Sequence, residues 1–369
     1  MRITRRGFLQ AGLGATAGSW ASASGLAAAA HLLGAAGRIR VGVVGLGRMG
    51  MSRAAALAAL AGVEVAALCD IAAEPVARAT AELGRRGAPA PRWTADFRAL
   101  VEDPRLDALV ISTPDPWHAE IAAAAGRAGK ASFVERPLAC DPAGHDQVVA
   151  ELRRNRLLLL QVASSPFAGA AERWGSFLRA GRIGKVAAVR IRYAPPGAWR
   201  PAAAAGEREG LPGGTADLLS AVRAALGLGY PLLAVGWKGG PSGTVSHYAF
   251  EFPAEAGRRL PLELAVLASG GELQGAAEVT WRGSAGQLRE SVACGAAPAG
   301  AAGNRRVPTA EMAGFVAHLR AGARNGCGAP AAEALADLRI STVVSQLAAA
   351  ALEGGRPLRI DPISGALLR

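Results

Sequence analysis

The stretch Arg38-Ile39-Arg40-Val41-Gly42-Val43-Val44-Gly45-Leu46-Gly47-Arg48-Met49-Gly50 decides the fold. Its apolar first half reads as a short buried strand, and Ser52 to Ala61 reads as a helix. Three glycines therefore stand between a strand and a helix, the context that gives G-x-G-x-x-G its meaning. Gly45 permits a tight turn, Gly47 lets the backbone approach a pyrophosphate, and Gly50 lets helix and strand pack closely. Leu46, Arg48 and Met49 complete the loop, and phosphates are expected at the positive end of the helix.

Working outward, the next apolar run, Val63 to Cys69, ends in Asp70, which stands 20 residues (70 − 50) past Gly50. An acid at that place accepts hydrogen bonds from the adenosine ribose hydroxyls. Ile71 follows instead of an arginine, so NAD is expected, while Arg48 leaves NADP open. A third buried run, Asp107 to Ser112, leads into Thr113-Pro114-Asp115-Pro116-Trp117-His118 and an Ala-rich helix. Beyond it come Gly129-Lys130-Ala131-Ser132-Phe133-Val134 and Glu135-Arg136-Pro137-Leu138-Ala139.

In that order, GxGxxG, late Asp, TPDxWH, AGK and E-R-P, the chain resembles the Gfo/Idh/MocA oxidoreductases over nearly all its length after residue 37. Gly181 to Val186 is similar to that family's entry into its second domain. Gly355 to Pro362 is similar to the end of its bacterial exported, sugar-acting members. The resemblance implies a Rossmann NAD-binding domain over 37–160 and a substrate and oligomerisation domain over 161–369. It implies an NAD-dependent oxidoreductase of a sugar or polyol, with homo-oligomers as a further expectation. Cofactor contacts are implied for Thr113, Pro114, Asp115, His118, Glu135 and Arg136. For His118 two readings stand: it lines the nicotinamide pocket, or it packs and binds local backbone. Glu135 either touches cofactor or orders its turn. Trp117 and Trp199 either stack on a sugar ring or pack in the interior.

At the position where the family carries the lysine of its E-K-P motif, beside the nicotinamide, this sequence has Arg136. A guanidinium with a pKa of about 12.5–13.8 donates hydrogen bonds and charge but shuttles protons poorly. The family's second signature is an Asp with His four and Asp seven residues on, all on one helix face. Here Asp217 stands alone, followed by Ala221 and Ala224 at those places. Asp217 is either a catalytic group or a helix cap after the glycine pair. Three functions follow: a dehydrogenase with atypical acid–base groups, an NAD- or sugar-binding protein without turnover, and an NAD-assisted glycosidase.

The second half alternates apolar and polar residues at 189–193, 244–253, 259–268, 273–282 and 287–293, as half-buried strands do. Helical spacing returns at 214–227, 309–323 and 331–353, while 194–216 and 295–306 read as loops. The fold class is α/β: a dinucleotide-binding Rossmann domain, then an α+β domain with an open, largely antiparallel sheet. His247 falls in a strand, where a structural role is expected.

The composition narrows the function further. A chain of 369 residues with 51% hydrophobic and 19% charged residues has enough apolar surface for two globular cores. Its net charge of +12 comes from scattered arginines without a basic block, so nucleic acid is not an expected partner. The four cysteines, Cys69, Cys140, Cys294 and Cys327, show no metal-ligand spacing, so no metal is expected. At the N-terminus, Thr4-Arg5-Arg6-Gly7-Phe8-Leu9 and the Ala- and Gly-rich stretch behind it read as a twin-arginine signal over 1–36. That stretch is too weakly apolar for a retained span, which needs about 20 strongly apolar residues. Export to the periplasm, or outside the cytoplasm generally, is the expectation.

Overall fold

The computed structural model describes residues 38–154, 160–162, 167–195, 214–239, 245–254, 257–267, 273–293, 306–325, 332–354 and 356–368. The twin-arginine segment, Trp199 and most of the two expected loops lie outside the described residues.

The first half alternates strands and helices. In order they are β1 (Ile39–Val44), α1 (Arg48–Ala58), β2 (Val63–Cys69), α2 (Ala73–Arg85), β3 (Arg92–Thr94) and α3 (Arg98–Glu102). Then come β4 (Ala108–Ile111), a 3₁₀ turn (Asp115–Trp117), α4 (His118–Arg127), β5 (Ala131–Val134), α5 (Pro142–Arg154) and β6 (Leu160–Val162). The strands form one parallel sheet in the order β3-β2-β1-β4-β5-β6. This is the doubly wound order, whose crevice opens where the winding reverses, beside β1 and β4. Both faces of the sheet are covered, so β4 (ALVI) and β5 (ASFV) are buried at every residue.

The second half contains α6 (Ala168–Arg179), β7 (Val186–Ala194), α7 (Thr215–Leu226), β8 (Leu233–Gly239), β9 (Val245–Pro253) and β10 (Arg259–Leu267). It continues through β11 (Ala276–Gly283), β12 (Gly286–Ala293), α8 (Arg306–Asn325), α9 (Ala332–Gly354) and β13 (Leu358–Arg359). Its sheet runs β12-β11-β7-β10-β9-β8-β13, antiparallel except for the parallel pair β7–β10. One face is packed: Tyr193, Tyr248, Phe250, Leu264 and Trp281 meet α6 and α7 there, with Trp174 against Trp281. The other face carries cross-strand ion pairs such as Arg190–Glu263 and Arg259–Glu251, and the alternation in β9 and β10 follows from that division. His247 stacks on Trp237 on the same outer face, in the structural role its strand position implies.

Helix α8 does not stay with its neighbours in sequence. Met312, Phe315, Val316 and Leu319 enter the first core beside Val43, Leu57, Val110 and Phe133, and Phe315 meets Phe133 edge-on at 5.7 Å. No described helix is long and apolar enough to cross a membrane.

Cys69, at the end of β2, is 3% exposed, and burial pushes its thiol up to about 11, with Asp70 adding to the shift. Only the thiolate alkylates readily. Iodoacetamide at pH 8 should therefore leave Cys69 unmodified in the native protein and label it after unfolding, as peptide mass mapping will show.

Candidate functional site

Each glycine of the first loop meets a different constraint. Gly45 has a φ of +83°, and a Cβ there would lie 2.6 Å from the Ser112 carbonyl oxygen. A Cβ on Gly50 would lie 1.8 Å from the Gly45 carbonyl oxygen, so β1 and α1 touch only because Gly50 has no side chain. A Cβ on Gly47 would meet nothing within 4 Å, and no side chain caps α1 at that residue. An uncapped helix start behind an open backbone suits a pyrophosphate. Ser112 Oγ and Thr113 Oγ1, at the end of β4, are buried without a hydrogen-bond partner. These orphaned hydroxyls and the bare helix end fit a dinucleotide laid over the loop. Leu46 is buried, Arg48 exposed and Met49 intermediate.

Gly47→Val tests this arrangement. The φ of −64° at Gly47 suits any L-residue, so stability should change by no more than about 0.5 kcal/mol. The added methyls fill the space for the pyrophosphate, so NAD binding followed by calorimetry should disappear.

Asp70 accepts the Leu46 N–H through Oδ2 at 2.7 Å and the Ala72 N–H through Oδ1 at 3.0 Å. The carboxylate therefore shapes the glycine loop, at the position where the resemblance implies a ribose contact. Asp70→Ala should weaken NAD binding about 10- to 100-fold, since hydrogen bonds to a charged group contribute about 1.5–3 kcal/mol each. Retention of NAD at wild-type affinity would sink the ribose assignment.

The Glu135-Arg136-Pro137 turn leaves the end of β5, with a cis bond before Pro137. Arg53, on the buried face of α1 and 2% exposed, donates through Nε to Glu135 Oε1 at 2.7 Å and through Nη1 to Glu311 Oε2 of α8 at 2.5 Å. Its guanidinium lies 4.8 Å from the Phe133 ring centre. Burial works against the Arg53 charge, but the two carboxylates outweigh it and hold the group above its ordinary value. Glu135 thus orders its turn through Arg53.

His118, 1% exposed, lies beneath the same turn. Its Nδ1 is 2.7 Å from the Pro137 carbonyl oxygen and its Nε2 2.8 Å from that of Thr113. The ring joins the ends of β4 and β5, the packing role among its two expected ones. Lys130 is also structural, with Nζ donating to the carbonyl oxygens of Asp103 at 2.6 Å and Leu106 at 2.9 Å. Pro114 and Asp115 are exposed, and Trp117, 47% exposed, meets Phe97 edge-on.

Across the crevice, Arg136 donates through Nε to Asp217 Oδ1, in the first turn of α7. Their side chains keep 17% and 15% exposure. Burial pushes the Asp217 carboxyl above its usual range, and the Arg136 charge opposes that shift. Gly214 precedes the helix in the left-handed region, and no side chain caps it, Asp217 included. Ala221, one turn on, is buried in the second core, and Ala224 is exposed. Thr215 Oγ1, at the start of α7, is fully buried and unpartnered.

Asp70 follows β2 and Glu135 follows β5, and Arg136 pairs with Asp217, whereas Arg53 and Glu311 lie outside the residues that the sequence singles out. An arginine three residues past Gly50, within an apolar helical stripe, is the signal that marks Arg53. Nothing local marks Glu311, which is 258 residues from Arg53.

Residues 39–164 match the Gfo/Idh/MocA family model, described as the oxidoreductase family, NAD-binding Rossmann fold. Over 105 residues the chain is 38% identical to a glycosyl hydrolase family 109 protein of Shewanella, covering 27% of this chain and 23% of that one. Over 125 residues it is 33% identical to an inositol 2-dehydrogenase of Salmonella paratyphi B, covering 34% of this chain and 36% of that one. The matches thus span about a quarter to a third of these curated relatives. Among solved structures, the scyllo-inositol dehydrogenase of Lactobacillus casei with bound NAD(H) and scyllo-inositol superposes with a TM-score of 0.65. It is 18% identical, and the match covers 87% of this chain and 99% of that one, a likeness of fold. Residues 39–164 are thus similar to the NAD-binding Rossmann domain of the Gfo/Idh/MocA oxidoreductase family.

Proposed function

We propose that this chain, built on that NAD-binding domain, is an exported oxidoreductase acting on a neutral sugar or polyol at the Arg136–Asp217 pair. The observation that carries the reading is the pair itself. It joins the turn beyond β5 to the first turn of α7, across the crevice between the two sheets' domains. The Arg136 charge is met by Asp217, so the pair as a unit suits an uncharged, hydroxyl-rich substrate better than an acid. Inositol dehydrogenases among the relatives support the substrate class.

The glycine loop and the start of α1 would hold the pyrophosphate, Asp70 the adenosine ribose, and the Ser112 and Thr113 hydroxyls the neighbouring polar groups. Bound NAD supplies a hydride acceptor, which no side chain provides. Arg136 orients substrate oxygen by donating hydrogen bonds, and His118 and Arg53 fix the turn that carries it. The twin-arginine signal would carry the protein out folded, with NAD loaded beforehand and held through turnover.

A second reading, an NAD-binding protein without turnover, draws support from Arg136 at the lysine position and from Ala221 buried in the core. Glycoside cleavage, suggested by the Shewanella relatives, ranks below both because it also needs proton-transfer groups. The test is an absorbance spectrum of the undialysed protein during challenge with sugars, polyols and a nitrophenyl N-acetylgalactosaminide. A reduced-nicotinamide band that grows with one polyol supports the dehydrogenase. Bound dinucleotide that nothing alters supports the second reading, and nitrophenol release supports the third.

A further inference from the structure

We propose that Glu311 is a positioning residue of the cofactor site. Supplied by α8, it holds Arg53, and through Arg53 the turn on which the nicotinamide half of NAD would rest. The inference rests on the cofactor placement given above and not on turnover.

A dinucleotide laid over the glycine loop with its adenosine at Asp70 extends the other way across the ends of β4 and β5. The Glu135-Arg136-Pro137 turn stands there. Within the first half of the chain, the Glu135 N–H donates to the Ile111 carbonyl oxygen at 3.0 Å, and the Pro137 carbonyl oxygen faces His118 Nδ1 at 2.7 Å. The Glu135 side chain is held by Arg53, with Nε 2.7 Å from Oε1 and Nη2 3.4 Å from Oε2. That tie does not close within the first half, because Arg53 Nη1 donates to Glu311 Oε2 at 2.5 Å.

Arg53 is 2% exposed, which leaves little access for water in place of Glu311. Without that acceptor, Nη1 becomes a buried donor with its bond unmade, and such a group costs more than the bond itself contributes. The guanidinium then shifts to find another acceptor and takes the Glu135 carboxylate with it. The two carboxylates together outweigh the burial of the Arg53 charge, so each depends on the other for its hold on the guanidinium. Helix α8 reaches β5 a second time through Phe315, which meets Phe133 edge-on. That contact packs the core, whereas Glu311 bears on the side chain of the turn.

The experiment is calorimetry of the full chain with NAD and with ADP-ribose, which is NAD without its nicotinamide ring. Glu311→Leu removes the acceptor and keeps an apolar side chain on the helix. It should weaken NAD binding by about 10-fold, a typical coupling between sites, and leave ADP-ribose binding unchanged. Glu311→Gln, which keeps an acceptor for Nη1 but not the charge, should show the same split at smaller size, and it decides the matter if Glu311→Leu does not fold. Leu319→Ala loosens the seat of α8 two turns away, where Leu319 is buried in the first core. It should lower stability without separating the two ligands.

Equal losses for NAD and ADP-ribose in the Glu311 variants overturn the positioning role, and so does the same split in Leu319→Ala. Wild-type protein that binds neither ligand overturns the cofactor placement itself.

Discussion

Arg53→Met should cost about 3–5 kcal/mol of stability, the loss expected when one partner of a buried ion pair is removed. Methionine fills much of the arginine volume, so the loss is electrostatic more than a cavity effect. It leaves the Glu135 and Glu311 carboxylates, whose side chains are 14% and 11% exposed, without the guanidinium between them. The contact with the Phe133 ring is lost as well. A urea melt monitored by far-UV circular dichroism measures the effect. The triple change Arg53→Met, Glu135→Gln, Glu311→Gln should recover part of the loss, since it removes the stranded charges with their partner. A loss below about 1 kcal/mol in the single variant would show that the cluster contributes little to holding α1, β5 and α8 together.

The second large effect is a gain. Arg136→Lys should raise the rate of nicotinamide reduction by about 10²-fold, the lower end of what a positioned proton-transfer group contributes. A lysine ammonium still pairs with Asp217, and it can release and regain a proton where a guanidinium stays charged. The measurement is a single-turnover rate with the polyol that gives the strongest wild-type response. An unchanged rate would mean that the pocket departs from a working dehydrogenase at more than this position. Adding Ala221→His restores one further member of the family pattern, with Ala224 still at the place of the second acid, at a price in packing. Ala221 is 5% exposed within the second core, where overfilling costs about 1–3 kcal/mol.

Much of this was legible because its signals are local. The glycine loop lies between a strand and a helix in one continuous stretch, and Asp70 follows at a fixed distance, so the cofactor end could be read residue by residue. In the second half the alternation marked β9 to β12, since one face of that sheet is packed. Strand β8 escaped because Gly236 and Gly239 weaken its pattern, and β13 has only two residues. The parallel β7–β10 pair, the Arg53 cluster and the Arg136–Asp217 contact depend on tertiary placement, which no spacing along the chain reports. Glu135 and Asp217 were each visible as single acids. Their partners decide what they do.

The seating of α8 sets a schedule for synthesis. Burying Met312, Phe315, Val316 and Leu319 in the first core is worth at most about 6–12 kcal/mol at roughly 1.5–3 kcal/mol per side chain. That rivals the net stability of an ordinary domain. The cofactor half therefore waits, after its last strand leaves the ribosome, for most of the second half to follow. At roughly 5–20 residues per second the wait is on the order of ten seconds, with apolar surface on β1 and β5 exposed meanwhile. A fragment ending before residue 306 should bind chaperones and aggregate, and supplying residues 306–325 as a separate peptide should restore its solubility.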